Sequence, residues 1–248
     1  MRRLAVSLSK GGVGKSTSAV NLAAGLARAG ASVLLVDTDT QGQLSSMLGV
    51  KPEAGLAELV LGQRSPEEAI VQVRDGLWLL AGGRALAGVT AQITRKEFGG
   101  EQTLSEALAF LDDRYNFLIM DTAPGWSSMT INVLFYAQEV LAPVSLEVLT
   151  LHGLLEFEKS LTSIQRYNKA LALRYVLPTF LDLRVKKSQE ILQQLQAHYG
   201  EKACSPIRYN VRLSEAPGFG QTIYEYAPGS TGAQDYQRLT ERILQDGR

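Results

Sequence analysis

The chain has 248 residues, and its 25 Lys+Arg balance 25 Asp+Glu for a formal net charge of zero. That balance excludes a uniformly basic nucleic-acid coat and an acidic tail protein. With 45% hydrophobic and 20% charged residues the chain has the composition of a packed globular protein, and the single Cys204 excludes an intramolecular disulfide or a cysteine-built zinc or iron–sulfur site within one chain.

In chain order, Arg3–Leu8 is a short apolar run leading into a glycine-rich turn, and Thr17–Ala29 shows helical apolar spacing that stops at Gly30. The two arginines near Met1 resemble the start of a leader, but Lys10 and Lys15 interrupt any apolar core, so none is expected. Val33–Val36 (VLLV) and Phe117–Met120 (FLIM) are nearly unbroken apolar runs, each followed by an aspartate, as strands buried on both faces of a parallel sheet should be. Gly82-Gly83 and Gly99-Gly100 read as surface loops, and Trp78, within LWLL, as core or edge strand. Val140–Val144 and Tyr175–Phe180 read as further strands, separated by helical patterns over Leu154–Asn168 and Ser188–Tyr199. The expected fold class is α/β, a doubly wound, mostly parallel sheet flanked by helices, forming a single domain over residues 1–248. No stretch reaches the roughly 18 apolar residues of a membrane span.

Chemistry concentrates in the turn after the first strand. Lys10–Thr17 reads KGGVGKST. Gly11, Gly12 and Gly14 let the backbone aim its N–H groups, with Val13 between them, at one point, and the following helix adds its positive dipole end. Lys15 can reach β/γ phosphates, the Ser16 hydroxyl can ligate Mg²⁺, and Thr17 completes the motif. The pattern G-x-x-x-x-G-K-[ST] departs at its first position, where Ser9 stands, and an extra Lys10 begins the loop. Asp37-Thr38-Asp39-Thr40-Gln41-Gly42 and Asp121-Thr122-Ala123-Pro124 follow the two apolar runs, so both acidic strand ends should converge on the loop. Asp121 suits the role of a Walker B carboxylate, holding Mg²⁺ through the water around it. Asp39 suits a place near the metal and the orientation of attacking water.

The zero net charge conceals a gradient. Residues 1–150 carry 12 Lys+Arg against 15 Asp+Glu, a net of −3, and residues 151–248 carry 13 against 10, a net of +3. Arg184, Lys186, Lys187, Lys202, Arg208 and Arg212 face only Glu190 and Glu201 between positions 184 and 212. From charge alone this is a solvated basic face.

The motifs KGGVGKST, DTDTQG and DTAPG resemble those of the ParA/MinD family of deviant Walker A P-loop ATPases, and NVRLSEAP (Asn210–Pro217) resembles its ParA/Soj branch. The resemblance implies an ATP/ADP- and Mg²⁺-binding enzyme that forms a homodimer when ATP-bound, with Lys10 crossing to the partner subunit's nucleotide. It also implies non-specific duplex DNA as a partner, a ParB-like activator of hydrolysis, and a cytoplasmic, nucleoid-associated role in moving plasmid, chromosome or other cargo, with no membrane attachment. On that resemblance Arg184, Lys186, Lys187, Arg208 and Arg212 become candidate DNA contacts; Arg208 is the weaker because relatives place an arginine where Tyr209 stands. Pro178, Asp182 and Ile207 are candidate adenine contacts. Two rivals share the superfamily. A MinD-like membrane-cycling ATPase would need an amphipathic end, whereas YQRLTERILQDGR reads as a last helix packed on the core. An ATP-dependent ligase or amidase would need its own substrate residues. His152 and His198 are isolated and lack metal-ligand spacing.

Overall fold

A computed structural model describes residues 1–111 and 114–247. Seven strands form one sheet in the order β3-β4-β2-β5-β1-β6-β7. They are β1 (Arg2–Val6), β2 (Val33–Asp37), β3 (Ile70–Arg74), β4 (Leu77–Leu80), β5 (Phe117–Asp121), β6 (Glu139–Ser145) and β7 (Ala172–Thr179). All adjacent pairs are parallel except β3–β4. The parallel, helix-flanked sheet is as expected from the sequence.

Side-chain alternation distributes the apolar runs over two cores. Leu4, Val6, Val33, Leu35, Phe117 and Ile119 enter the cluster beneath the first helix, Lys15–Arg28, and the last helix, Thr231–Gln245. Ala5, Leu34, Val36, Leu118 and Met120 enter the opposite cluster, beneath helices that include Val148–Gln165 and Lys186–Tyr199. A strand turns successive side chains to opposite faces, so a run apolar at every position needs cover on both sides. The last helix buries Ala233, Tyr236, Leu239 and Ile243, leaving that apolar face packed inside the protein.

Two local readings become more specific. β3 pairs antiparallel with β4 through a turn at Asp75-Gly76, so Trp78 lies on the second strand of the sheet, edge-to-face with Tyr115 at 5.4 Å, rather than at its edge. The Asp-Gly pair, with Gly76 at φ 69°, is the hairpin signal that identifies the turn. Gly82 lies in the loop after β4 and is half-buried. A Cβ there would stand 2.7 Å from the Asp37 carboxyl carbon, so only glycine lets the chain after β4 cross that side chain.

The strand register then places the site. Asp37 pairs with Asp121 across β2–β5, and Val6 pairs with Asp121 across β1–β5. The turn after β1 and both acidic strand ends therefore share the carboxyl edge of the sheet, where open α/β sheets bind ligands.

Cys204 is 2% exposed, and burial pushes its thiol up to about 12. Thiol-disulfide reagents at pH 8 should label the folded protein at least 100-fold more slowly than denaturant-unfolded chain. Comparable rates would contradict this packing.

Candidate nucleotide site

The turn after β1 is shaped by two left-handed positions, Gly12 (φ 72°) and Gly14 (φ 88°), the second capping the first helix. Side chains disfavour that region. Among the described residues, no backbone N–H from Gly11 to Thr17 donates to a protein acceptor. A row of unpaired amides at a helix start forms a concave cradle for an anion. Neighbours fix it: the Thr179 hydroxyl donates to the Val13 carbonyl at 3.0 Å, and the Gly125 amide to the Ser9 carbonyl at 2.9 Å. The Val13 side chain itself lies in the core.

Lys15 is 6% exposed and its Nζ donates to the Lys10 carbonyl at 2.8 Å. Burial lowers its pKa, while the Asp121 and Asp39 carboxylates act the other way. Asp121 is 1% exposed, and its Oδ1 has no hydrogen-bond partner. Burial pushes its carboxyl up to about 8 against the opposing influence of Ser16 and Lys15. Asp37 accepts the Asp39 and Leu44 amides at 3.0 and 3.1 Å, and burial pushes it up to about 6. Asp37 thus shapes the turn that presents Asp39, whose Oδ1 accepts only the nearby Gln41 amide at 3.0 Å.

Gly11, Gly12, Lys15, Ser16, Asp39 and Pro124 line a cavity of about 630 Å³. Through Gly14, Thr17 and Phe180 it adjoins a second, about 290 Å³, bounded also by Ile207, Tyr209 and Tyr236. The first has the donors for a phosphate chain, and the second is lined by aromatic and apolar side chains that suit a ring, Phe180, Ile207 and Tyr209 among them. Among the described residues no three His, Cys, Asp or Glu side chains group to hold a metal. Mg²⁺ commonly takes few protein ligands and completes its shell with phosphates and water. The orphaned Asp121 Oδ1, on a carboxyl that meets the Ser16 side chain, fits that arrangement, and Asp39 lines the cavity.

Several expected residues occupy other places. Ile207 lines the smaller cavity, but Pro178 and Asp182 do not. The Pro178 carbonyl accepts the Ile207 amide at 2.9 Å, and Asp182 accepts the Arg184 guanidinium at 2.9 and 2.8 Å. Lys10 turns from the cavity to Glu147 Oε2 (3.0 Å) and the Thr150 hydroxyl (2.6 Å). Arg184, Lys186, Lys187 and Arg212 are exposed. Their two segments adjoin through the Tyr209 amide, which donates to the Leu181 carbonyl at 2.9 Å. Arg208 is removed from that set, because its guanidinium is bonded to the fully buried Asp235. Phe180 and Tyr209 fall within reach of sequence reasoning as aromatics beside the expected adenine segments. Tyr236, Glu147 and Thr150 carry no motif, and only tertiary structure brings them to the site.

Cradle, buried lysine and paired acidic strand ends define a P-loop nucleotide-binding protein. A family model described as an AAA domain matches residues 1–173. The chain is 42% identical over 246 residues to a chromosome-partitioning ATPase Soj from Thermus thermophilus, covering 98% of this chain and 96% of that one. It is 32% identical to the sporulation initiation inhibitor protein Soj of Bacillus subtilis, covering 98% of both. A solved cobyrinic acid a,c-diamide synthase from Mycobacterium smegmatis, with bound ADP and magnesium, is 31% identical with a TM-score of 0.85, covering 100% of this chain and 97% of that one. The chain belongs to the ParA/Soj family of P-loop ATPases.

The carboxyl of Asp121 gives a signed pH dependence. Its folded pKa exceeds the unfolded value near 4, so the nucleotide-free fold loses stability as pH rises from about 4 to about 8, by at most about 1.4 kcal/mol per pH unit. Asp121→Asn removes that loss. In metal-free denaturant unfolding, its stability relative to wild type should increase from pH 5 to pH 8; a constant difference would contradict the assignment.

Proposed function

We propose that the chain, acting as a single domain, is a ParA-type ATPase whose ATP-bound homodimer binds duplex DNA without sequence preference. The observation that carries this reading is the row of unpaired amides at Gly11–Thr17 facing Lys15 and the orphaned Asp121 carboxylate. In this reading the amides and Lys15 hold the phosphate chain, Ser16 and Asp121 hold Mg²⁺, and Asp39 orients water at the terminal phosphate. Bound Mg²⁺ supplies charge neutralisation on the phosphate oxygens. Protein groups otherwise provide position and electrostatics, which dominate phosphoryl transfer.

Lys10 supports the dimer step. Its ion pair with Glu147 is 31% and 67% exposed at the two side chains, and pairs of that kind contribute roughly 0–1 kcal/mol. Exchanging Glu147 for phosphate on the partner subunit's nucleotide therefore costs little. A cation supplied in trans acts only in the closed dimer, which couples nucleotide state to assembly. Arg184, Lys186, Lys187 and Arg212 supply the phosphate-contacting face; the local pairs of Arg184 with Asp182 and Arg212 with Glu215 are exposed and exchangeable. A ParB-like activator fits the absence, among the described residues, of an arginine lining the phosphate cavity. Segregation of DNA or positioning of cargo follows from such a cycle and agrees with the names of the relatives.

The rivals fit less well. No helix among the described residues is long and apolar enough to cross a membrane, and the apolar face of the last helix is already buried. An ATP-dependent ligase or amidase would need substrate residues of its own, whereas NVRLSEAP at Asn210–Pro217 resembles the ParA/Soj branch.

Titrating a DNA duplex with ATP-, ADP- and nucleotide-free protein tests the switch. Binding should require ATP and weaken steeply with salt; equal affinity in all three states would refute it. Lys15→Ala should abolish nucleotide binding. Asp39→Ala should keep ATP binding and lower hydrolysis at least tenfold, and native turnover would remove its water-positioning role. Arg212→Glu should lose DNA binding while still dimerising with ATP.

A further inference from the structure

The last helix touches both walls of the smaller cavity through two consecutive residues. Asp235 is 1% exposed, and its carboxylate accepts the Arg208 backbone amide at 2.8 Å, Arg208 Nε at 3.0 Å and Arg208 Nη2 at 2.6 Å. The Arg238 guanidinium meets the same carboxylate. The segment so held lines the cavity with Ile207, Arg208 and Tyr209. Ile207 and Tyr209 exchange backbone bonds with the continuation of β7: the Ile207 amide donates to the Pro178 carbonyl, the Leu181 amide to the Ile207 carbonyl, and the Tyr209 amide to the Leu181 carbonyl. Extended backbone alternates its bonding directions. Arg208, between them, directs its N–H to Asp235 instead.

The next residue on the helix reaches the other wall. The Tyr236 and Ser18 hydroxyls are 3.1 Å apart and buried, and Ser18 follows Thr17, which faces the cavity. Asp235 thus fastens the Ile207–Tyr209 wall while Tyr236 fastens the first helix. Adjacent positions on one helix fix the gap between two segments about 190 residues apart in sequence.

We propose that Asp235 is a positioning residue that, through Arg208, sets the width of this cavity and so the contribution of the nucleoside to ATP affinity. The inference rests on the nucleotide reading of the site and extends it to a specific mechanism. A wall held in its bound position before the ligand arrives spares the ordering entropy of a mobile segment. The phosphate cradle has anchors of its own, Thr179 to the Val13 carbonyl and Gly125 to the Ser9 carbonyl, that do not involve Asp235 or Arg208. Asparagine at 235 keeps the volume but loses the charge, and its amide donors face the Arg208 donors.

Wild type, Asp235→Asn and Arg208→Gln are titrated calorimetrically with Mg²⁺–ATP and with Mg²⁺–tripolyphosphate, which has the phosphate chain without the nucleoside. Both variants should bind ATP at least tenfold more weakly than wild type and tripolyphosphate within twofold of it. A general loss of structure would weaken both probes together, so the ratio between them isolates the positioning role. Unchanged ATP affinity in a folded variant, or parallel loss of both probes, would overturn the proposal. If Asp235→Asn fails to fold, Arg208→Gln is read beside Arg208→Lys, which restores the ion pair with Asp235: recovered ATP affinity in the lysine variant supports the fastening, and equal loss in both variants overturns it. Wild type that binds neither probe would overturn the nucleotide reading itself, a result distinct from any variant-specific loss.

Discussion

The structure depends on a row of backbone amides that the fold leaves without protein acceptors. From Gly11 to Thr17 the chain turns through two left-handed glycines into a helix, and no carbonyl among the described residues takes those N–H groups. Gly11 and Gly12 are exposed, and Gly14, Ser16 and Thr17 are half-buried at the wall of a cavity and the start of a helix, so an anion seated there would find several backbone donors aimed at it. Ser9 and Val13 are tied by their carbonyls to Gly125 and Thr179. Opposite stands Asp121, whose burial leaves a carboxyl pushed up to about 8 with one oxygen unpaired. Donors lacking acceptors and an acceptor lacking donors, at one sheet edge, describe a site completed by an anion together with a cation.

The same constraint organises the rest of the molecule. β7 closes the sheet and supplies Thr179 to the cradle; its continuation supplies Phe180 to both cavities. The Ile207–Arg212 stretch lines the smaller cavity at one end and carries exposed Arg212 at the other. Under the proposed DNA reading the formal charge of zero is no obstacle, because exposed Arg212 lies on a stretch that adjoins the one carrying Arg184, Lys186 and Lys187, while the acidic excess falls in residues 1–150.

Much of this was legible in the sequence because the relevant signals are local. VLLV and FLIM, each ending in aspartate, fix two central strands and both acidic ends, and KGGVGKST fixes the turn between β1 and the first helix. β3 was less visible: IVQVR is half exposed on an edge, so it lacks the continuous apolar character of the central strands. Gly82 resembles any loop glycine until Asp37 is placed beneath it. Arg208 resembles its basic neighbours in composition, yet burial of Asp235 decides its direction. Lys10 was recognised by position, but its contact with Glu147 and Thr150 joins residues about 140 apart and belongs to tertiary packing. Local chemistry was readable, and the pairing of distant polar groups was not.

Amide hydrogen exchange over Gly11–Thr17 tests the central claim most directly. Without ligand these N–H groups should exchange fast relative to the core of the first helix, and saturating Mg²⁺–ATP should slow them at least tenfold as phosphate oxygens become their acceptors. Exchange over this stretch that is already slow without ligand, or unaltered by Mg²⁺–ATP, would contradict the account.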